Sequence, residues 1–225
     1  MNKLTIGIIS ALALAGSLPA NAQFNIVNPL PQKIQATGFT TVPQSVRIKT
    51  TSQCQQSIAV AALKSALKVE QGAKFTVTLG VKGDKSVKAY TKHLPNKAEA
   101  YWLSVGDKGA VVVGNDEEGL FYGVQTLLGS MAQGKLEKGT VSDWPDVDFR
   151  GTVEGFYGTP WSHQARLSQI EFYGRNKMNT YIYGPKDDPY HRDQWRKPYP
   201  ADEAQRIKQL NEVSKQNGVN FYWAI

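Results

Sequence analysis

The chain changes its hydrophobic period several times, and the changes mark its elements. After an extended opening at Asn28-Pro29-Leu30-Pro31, Val46-Arg47-Ile48-Lys49 alternates apolar and polar side chains, as a half-buried strand does. Ser52 is placed to cap a helix in which Ile58, Ala62, Leu63, Ala66 and Leu67 recur at helical spacing. Phe75 to Val81 alternates again. Two short apolar runs, Ala100 to Val105 and Ala110 to Val113, flank Gly106-Asp107-Lys108-Gly109 and predict a hairpin. Asn115 or Asp116 then caps a helix striped by Leu120, Val124, Leu127, Leu128 and Met131. The order β, α, β, β, β, α predicts an α+β sandwich from Phe24 to about Thr140. Gly134 to Gly139 reads as a polar, lysine-rich connection, and Ser142-Asp143-Trp144-Pro145-Asp146 punctuates the chain.

Beyond that point the rhythm is strictly alternating. A strand over Phe149 to Glu154, a helix from about Ser162 to Asn176, a strand over Asn179 to Tyr183, a helix from about Asp202 to Asn217 and a strand over Val219 to Ile225 predict a parallel sheet, as a barrel or a doubly wound fold. The expected units are therefore residues 23–145 and 146–225.

The first 22 residues fit neither unit. Lys3, the apolar run Ile6 to Ala15 and the small-residue site Ala20-Asn21-Ala22 have the layout of a secretory signal peptide, which predicts a secreted or periplasmic protein. The apolar run falls short of the roughly 20 residues a membrane helix needs. A single cysteine, Cys54, excludes an internal disulfide and reads as buried packing. The formal charge of +7 is spread thinly along helices and loops, which argues against nucleic acid as the partner.

The stretch EGFYGTPW, Glu154 to Trp161, sets two glycines, a proline and three aromatic rings after a strand. Gly155 and Gly158 allow close approach or positive φ. Phe156, Tyr157 and Trp161 offer faces suited to a pyranose ring, although a βα turn packed by aromatics would read the same way. Gly184 to His191 follows the next strand, and in a parallel barrel both loops open on the rim where working residues sit. Lys186 reads as a donor to a sugar hydroxyl or as a solvated loop lysine. Asp187 and Asp188 invite reading as a carboxylate pair, but adjacent side chains on an extended segment point apart. Arg192, Arg196 and Lys197 nearby predict that the two aspartates brace the loop through salt bridges. His163 and His191 match no metal-ligand spacing, so neither metal nor cofactor is expected.

Residues Gly151 to Asp188, with VEGFYGTPWSHQARL and YGRNKMNTYIYGPKDDPYH, resemble glycoside hydrolase family 84, the O-GlcNAcases and bacterial hyaluronidase-like β-N-acetylglucosaminidases. The resemblance continues to FYWAI, and VGNDEEGLFYGVQTLL is similar to the small α+β domain that precedes the barrel in this family and in related hexosaminidases. It implies a (β/α)8 barrel, of which this chain holds three strands, and retaining hydrolysis of terminal β-linked N-acetylglucosamine on a glycan or glycoprotein. In that chemistry the substrate's 2-acetamido oxygen is the nucleophile, an exception to the two-carboxylate scheme. The family's catalytic residues are adjacent aspartates after the fourth strand, beyond Ile225, so the chain is expected to be inactive and Asp187 and Asp188 are not that pair. The positions that match the sugar-binding set are Gly155, Tyr157 and Lys186. The alternative expectation is a non-catalytic glycan-binding module.

Overall fold

The structure, a computed structural model, describes residues 27–224, and the signal-peptide reading lies outside them. Residues 33–143 build a mixed seven-stranded sheet. Its strands are β1 (Lys33–Thr41), β2 (Val46–Lys49), β3 (Phe75–Val81), β4 (Tyr101–Gly106), β5 (Gly109–Gly114), the short β6 (Met131–Ala132) and β7 (Lys135–Asp143). They run in the order β1-β7-β4-β5-β3-β2, with β6 paired to β7. Two helices, α1 (Ile58–Ala66) and α2 (Glu117–Gly129), bury Leu63, Leu120 and Leu127 against Leu79, Leu103 and Val112 of the sheet. Burial of a leucine side chain is worth roughly 1.5–3 kcal/mol, so this face supplies most of the unit's cohesion.

Asp116 is the α2 cap, its carboxylate accepting from the Gly119 N–H at 2.8 Å. The α1 cap is Ser57 rather than Ser52, because a 3-10 turn over Cys54–Gln56 delays the helix and the Ser57 hydroxyl accepts from the Val60 N–H at 3.3 Å. The polar segment Gly134 to Gly139 is also not a connection. Most of it lies in β7, which pairs β1 on one side and β4 on the other. Lys135 and Lys138 hide the alternation there, while Leu136 and Val141 face the core.

The second sheet is parallel, in the order β10-β9-β8, from β8 (Gly151–Glu154), β9 (Thr180–Tyr183) and β10 (Asn220–Trp223). The crossover helices α3 (His163–Arg175) and α4 (Ala201–Gln216) cover one face, packing Ile170, Tyr173 and Leu210 on Tyr181 and Tyr183. The opposite face presents Val153, which is 61% exposed. At Gly151 a Cβ would overlap the Thr180 carbonyl oxygen of the neighbouring strand, so only glycine fits the β8–β9 pairing there.

Two ion pairs, one buried and one partly buried, join the two sheets. Lys177, just after α3, donates from Nζ to Asp143 Oδ2 and to the Tyr101 hydroxyl, both at 2.8 Å. Arg150 pairs with Glu99 and donates to the Tyr122 hydroxyl at 3.2 Å, and the Asn179 amide donates to Glu99 at 3.2 Å. Lys177 and Glu99 both hold positive φ, 58° and 57°, a conformation that costs a non-glycine residue about 1–3 kcal/mol and persists where surrounding contacts over-determine it. Burial pushes the Lys177 ammonium below its ordinary range, against the pull of Asp143. Replacing Lys177 by Met strands the Asp143 carboxylate, and urea unfolding is expected to record a loss of about 3–5 kcal/mol. The paired change Lys177→Met with Asp143→Leu should recover most of it; equal losses in both variants would mean that the stranded carboxylate is not the cause of the loss.

Candidate functional site

The rim at the C-terminal ends of β8 and β9 is organised by a carboxylate. Thr152 and Glu154 share the helix-covered face of β8, and Glu154 has no exposure to solvent. Arg166, one helical turn into α3, meets it with two hydrogen bonds, Nε to Oε2 at 2.9 Å and Nη2 to Oε1 at 2.8 Å. The Tyr181 hydroxyl donates to Oε2, and the Trp161 N–H donates to Oε1 at 3.2 Å. Burial disfavours the Arg166 cation, but its hydrogen bonds to Glu154 and that group's charge more than offset this and hold it above its ordinary range. Glu154 thus ties the start of the loop to its end.

Between these ties the loop bulges outward. Gly158 sits at φ 103°, which a side chain would strain, while Gly155 has ordinary φ and tight surroundings. Trp161 packs on the second core and touches Phe156, with ring centroids 5.6 Å apart. Tyr157 points away, 74% exposed. The loop after β9 comes alongside, since the Gly184 N–H donates to the Glu154 carbonyl at 3.1 Å and the Lys186 N–H to the Phe156 carbonyl at 3.4 Å. The Lys186 ammonium then lies 5.8 Å from the Tyr157 ring centroid. Of the three sequence-predicted residues, Tyr157 and Lys186 therefore converge, and Gly155 lies at the base of the same loop.

The aspartates behave differently from expectation. Asp188 accepts from the hydroxyls of Tyr183 and Tyr199, each at 2.8 Å, and from the Tyr190 N–H at 2.9 Å. It braces the loop through phenols and a backbone amide, and among the described residues neither Asp187 nor Asp188 forms a salt bridge with Arg192, Arg196 or Lys197. The reason is local: the arginines are drawn elsewhere, Arg196 over the Trp195 ring at 4.0 Å and Arg192 to the Lys186 carbonyl at 3.4 Å. Behind this loop a hollow of about 540 Å³ is lined by Trp161, Arg166, Tyr183, Asp188, Tyr190 and Tyr199. His163 bonds Gln209 at 2.8 Å, and Cys54 is buried in the first core. Among the described residues no group of three or more His, Cys, Asp and Glu side chains comes together to hold a metal.

Sequence reasoning missed Arg166 and the tyrosines. The signal was the parity of β8, which puts Glu154 on the face that helices cover, where a carboxylate needs a cation.

Residues 25–144 match the family described as "Glycosyl hydrolase family 20, domain 2", and residues 150–225 match "beta-N-acetylglucosaminidase". The solved structure of CpGH84B is 35% identical, with a TM-score of 0.78 over 88% of this chain. The chain belongs to the hexosaminidase-type glycoside hydrolases, and is family 84-like. Protein O-GlcNAcase of Rattus norvegicus is 39% identical over 75 residues, 33% of the chain. A mutant β-hexosaminidase of Streptomyces plicatus, at 18% identity and a TM-score of 0.63 over 90% of this chain, shares the fold. This family 84-like chain spans 36% of the CpGH84B chain, 46% of the Streptomyces plicatus chain and 8% of the rodent O-GlcNAcase.

The phenols of the rim carry a pH signature. Burial, then hydrogen bonding to Glu154, pushes the Tyr181 hydroxyl far above its ordinary value of 10.0, and burial with Asp188 does the same for Tyr183. Above pH 10 the unfolded chain therefore loses protons that the folded chain keeps, so stability falls as pH rises. Alkaline titration followed by tyrosinate absorbance should show these phenols ionising only together with loss of the fold, and Tyr181→Phe should flatten the decline in stability.

Proposed function

We propose that this chain is the N-terminal portion of a secreted β-N-acetylglucosaminidase, and that its rim forms part of the subsite for the terminal sugar. The observation that carries the reading is the convergence of Tyr157 and Lys186 on a loop tied down by Glu154. Tyr157 lends an exposed aromatic face to the pyranose, Lys186 donates to its hydroxyls, and the Gly155 carbonyl accepts from one of them. Glycan specificity of this kind needs few polar groups if they are held rigidly, and the Glu154–Arg166 pair with the Trp161 amide provides that rigidity.

The reaction proposed for the whole enzyme is retaining hydrolysis with the substrate's acetamido oxygen as nucleophile. It requires one carboxylate to hold the acetamido N–H and another to protonate the leaving oxygen. The rim carboxylates of this chain are differently engaged. Glu154 is buried with four hydrogen-bond donors around it, and Asp188 has three. Positioning without a general acid forfeits typically 10²–10⁴-fold in rate, and the electrostatic contribution is usually larger.

The 225-residue chain is therefore expected to bind N-acetylglucosamine-type ligands weakly and to release no aryl alcohol from aryl β-N-acetylglucosaminides. Calorimetry should show that Lys186→Ala weakens the binding about tenfold, as the loss of a charge-assisted hydrogen bond does, while circular dichroism stays unchanged. Turnover in proportion to chain concentration would put the acid on Asp187 or Asp188 and sink the assignment. The second reading, a glycan-binding module without catalysis, draws on the same engaged carboxylates. Activity of a longer chain carrying these residues, lost on Lys186→Ala, would decide against it.

A further inference from the structure

The first sheet has a built surface on the face turned away from α1 and α2. Register places Lys33 of β1 opposite Ser142 of β7, and Ser142 opposite Trp102 of β4; the next row is Gln35, Thr140 and Ser104. Small hydrogen-bonding side chains thus pave a flat strip. The 3-10 turn Lys88–His93 walls one side, with the His93 ring stacked on Trp102 at 4.9 Å and 19°. The other side is Trp144, whose ring carries Lys97 Nζ at 4.5 Å and Lys33 Nζ at 5.4 Å from its centroid. Two adjoining hollows of about 280 and 400 Å³ share Lys33, His93 and Ser142.

No carboxylate lines either hollow, and among the described residues neither Lys33 nor Lys97 forms a salt bridge. Two ammonium groups held over an indole ring, beside a strip of hydroxyls and an amide, fit a ring whose substituents carry negative charge and whose hydroxyls meet the strip. We propose that this face is a second saccharide site, separate from the rim, that takes an anionic oligosaccharide bearing carboxylate or sulfate groups. Its place on the sheet rests on the groove alone; the choice of a saccharide over other anions rests on the glycan function proposed above. In that setting the site holds a charged region of the polymer while the rim addresses a terminal residue.

Titration of the 225-residue chain, followed by tryptophan fluorescence and calorimetry, tests this with four probes. They are a uronate-containing tetrasaccharide, a sulfated tetrasaccharide, the carboxyl-reduced neutral form of the first, and an oligoglutamate peptide. One or both charged sugars should bind about tenfold or more tighter than the neutral one, and Lys97→Gln should weaken the tighter binder about tenfold, the loss of one charge-assisted contact. Which charged sugar wins identifies the anion. Lys186→Ala should leave this binding unchanged, so a failed rim assignment and a failed groove assignment give different results. Equal binding of the neutral sugar, equal binding of oligoglutamate, or indifference to Lys97→Gln each overturns the proposal. Lys97 is exposed, so its replacement tests the site without threatening the fold, and Trp144→Ala should reduce the fluorescence response to what Trp102 reports.

Discussion

The buried carboxylate of Glu154 is the constraint around which the second sheet is arranged. An isolated carboxylate there would carry a desolvation penalty of several kcal/mol, and the chain meets it with a guanidinium, a phenol and a backbone amide from three different segments. Each of those partners does structural duty because it is summoned: Arg166 draws α3 onto the strands, Tyr181 fixes β9 against β8, and the Trp161 amide closes the loop. The exposed position of Tyr157 is a by-product of that closure. Apolar packing alone could hold the helix, but it would not dictate where the six residues between Glu154 and Trp161 turn.

A similar logic joins the two sheets. Lys177–Asp143 and Arg150–Glu99 are short-range, directional contacts between two apolar cores that otherwise have separate memberships. Because these contacts are directional and the Lys177–Asp143 pair is shielded from water, the relative setting of the sheets is fixed by geometry rather than by area. Asp143, which meets Lys177, and Trp144, which borders the groove, are adjacent in sequence.

Much of this was legible in the sequence where period and chemistry agreed. The α2 helix, the β4–β5 hairpin and the alternating strands and helices of the second half all announce themselves by apolar spacing. The pairing of β1 with β7 does not, because Lys135, Lys138 and Thr140 supply polar residues on the outward face and because a hydrogen-bonded partner about a hundred positions away leaves no local mark. Lys186 and Tyr157 stood out by composition and do converge. Asp188 also stood out, yet charge pointed to the wrong partners: a linear reading favours the arginines, whereas the fold turns the hydroxyls of Tyr183 at the end of β9 and of Tyr199 onto it.

That distant pairing has a consequence for the order in which the protein can be made. Lys33 meets Ser142, 109 positions later in the chain, so strand β1 leaves the ribosome long before the strand that flanks it exists. At typical synthesis rates of about 5–20 residues per second, it waits roughly 5–20 s as an unpaired extended segment. During that interval it has no strand to pair with, and β1 and β4 both gain β7 as a neighbour only once that strand has been made. The second sheet, whose strands are joined by local crossovers, has no such wait.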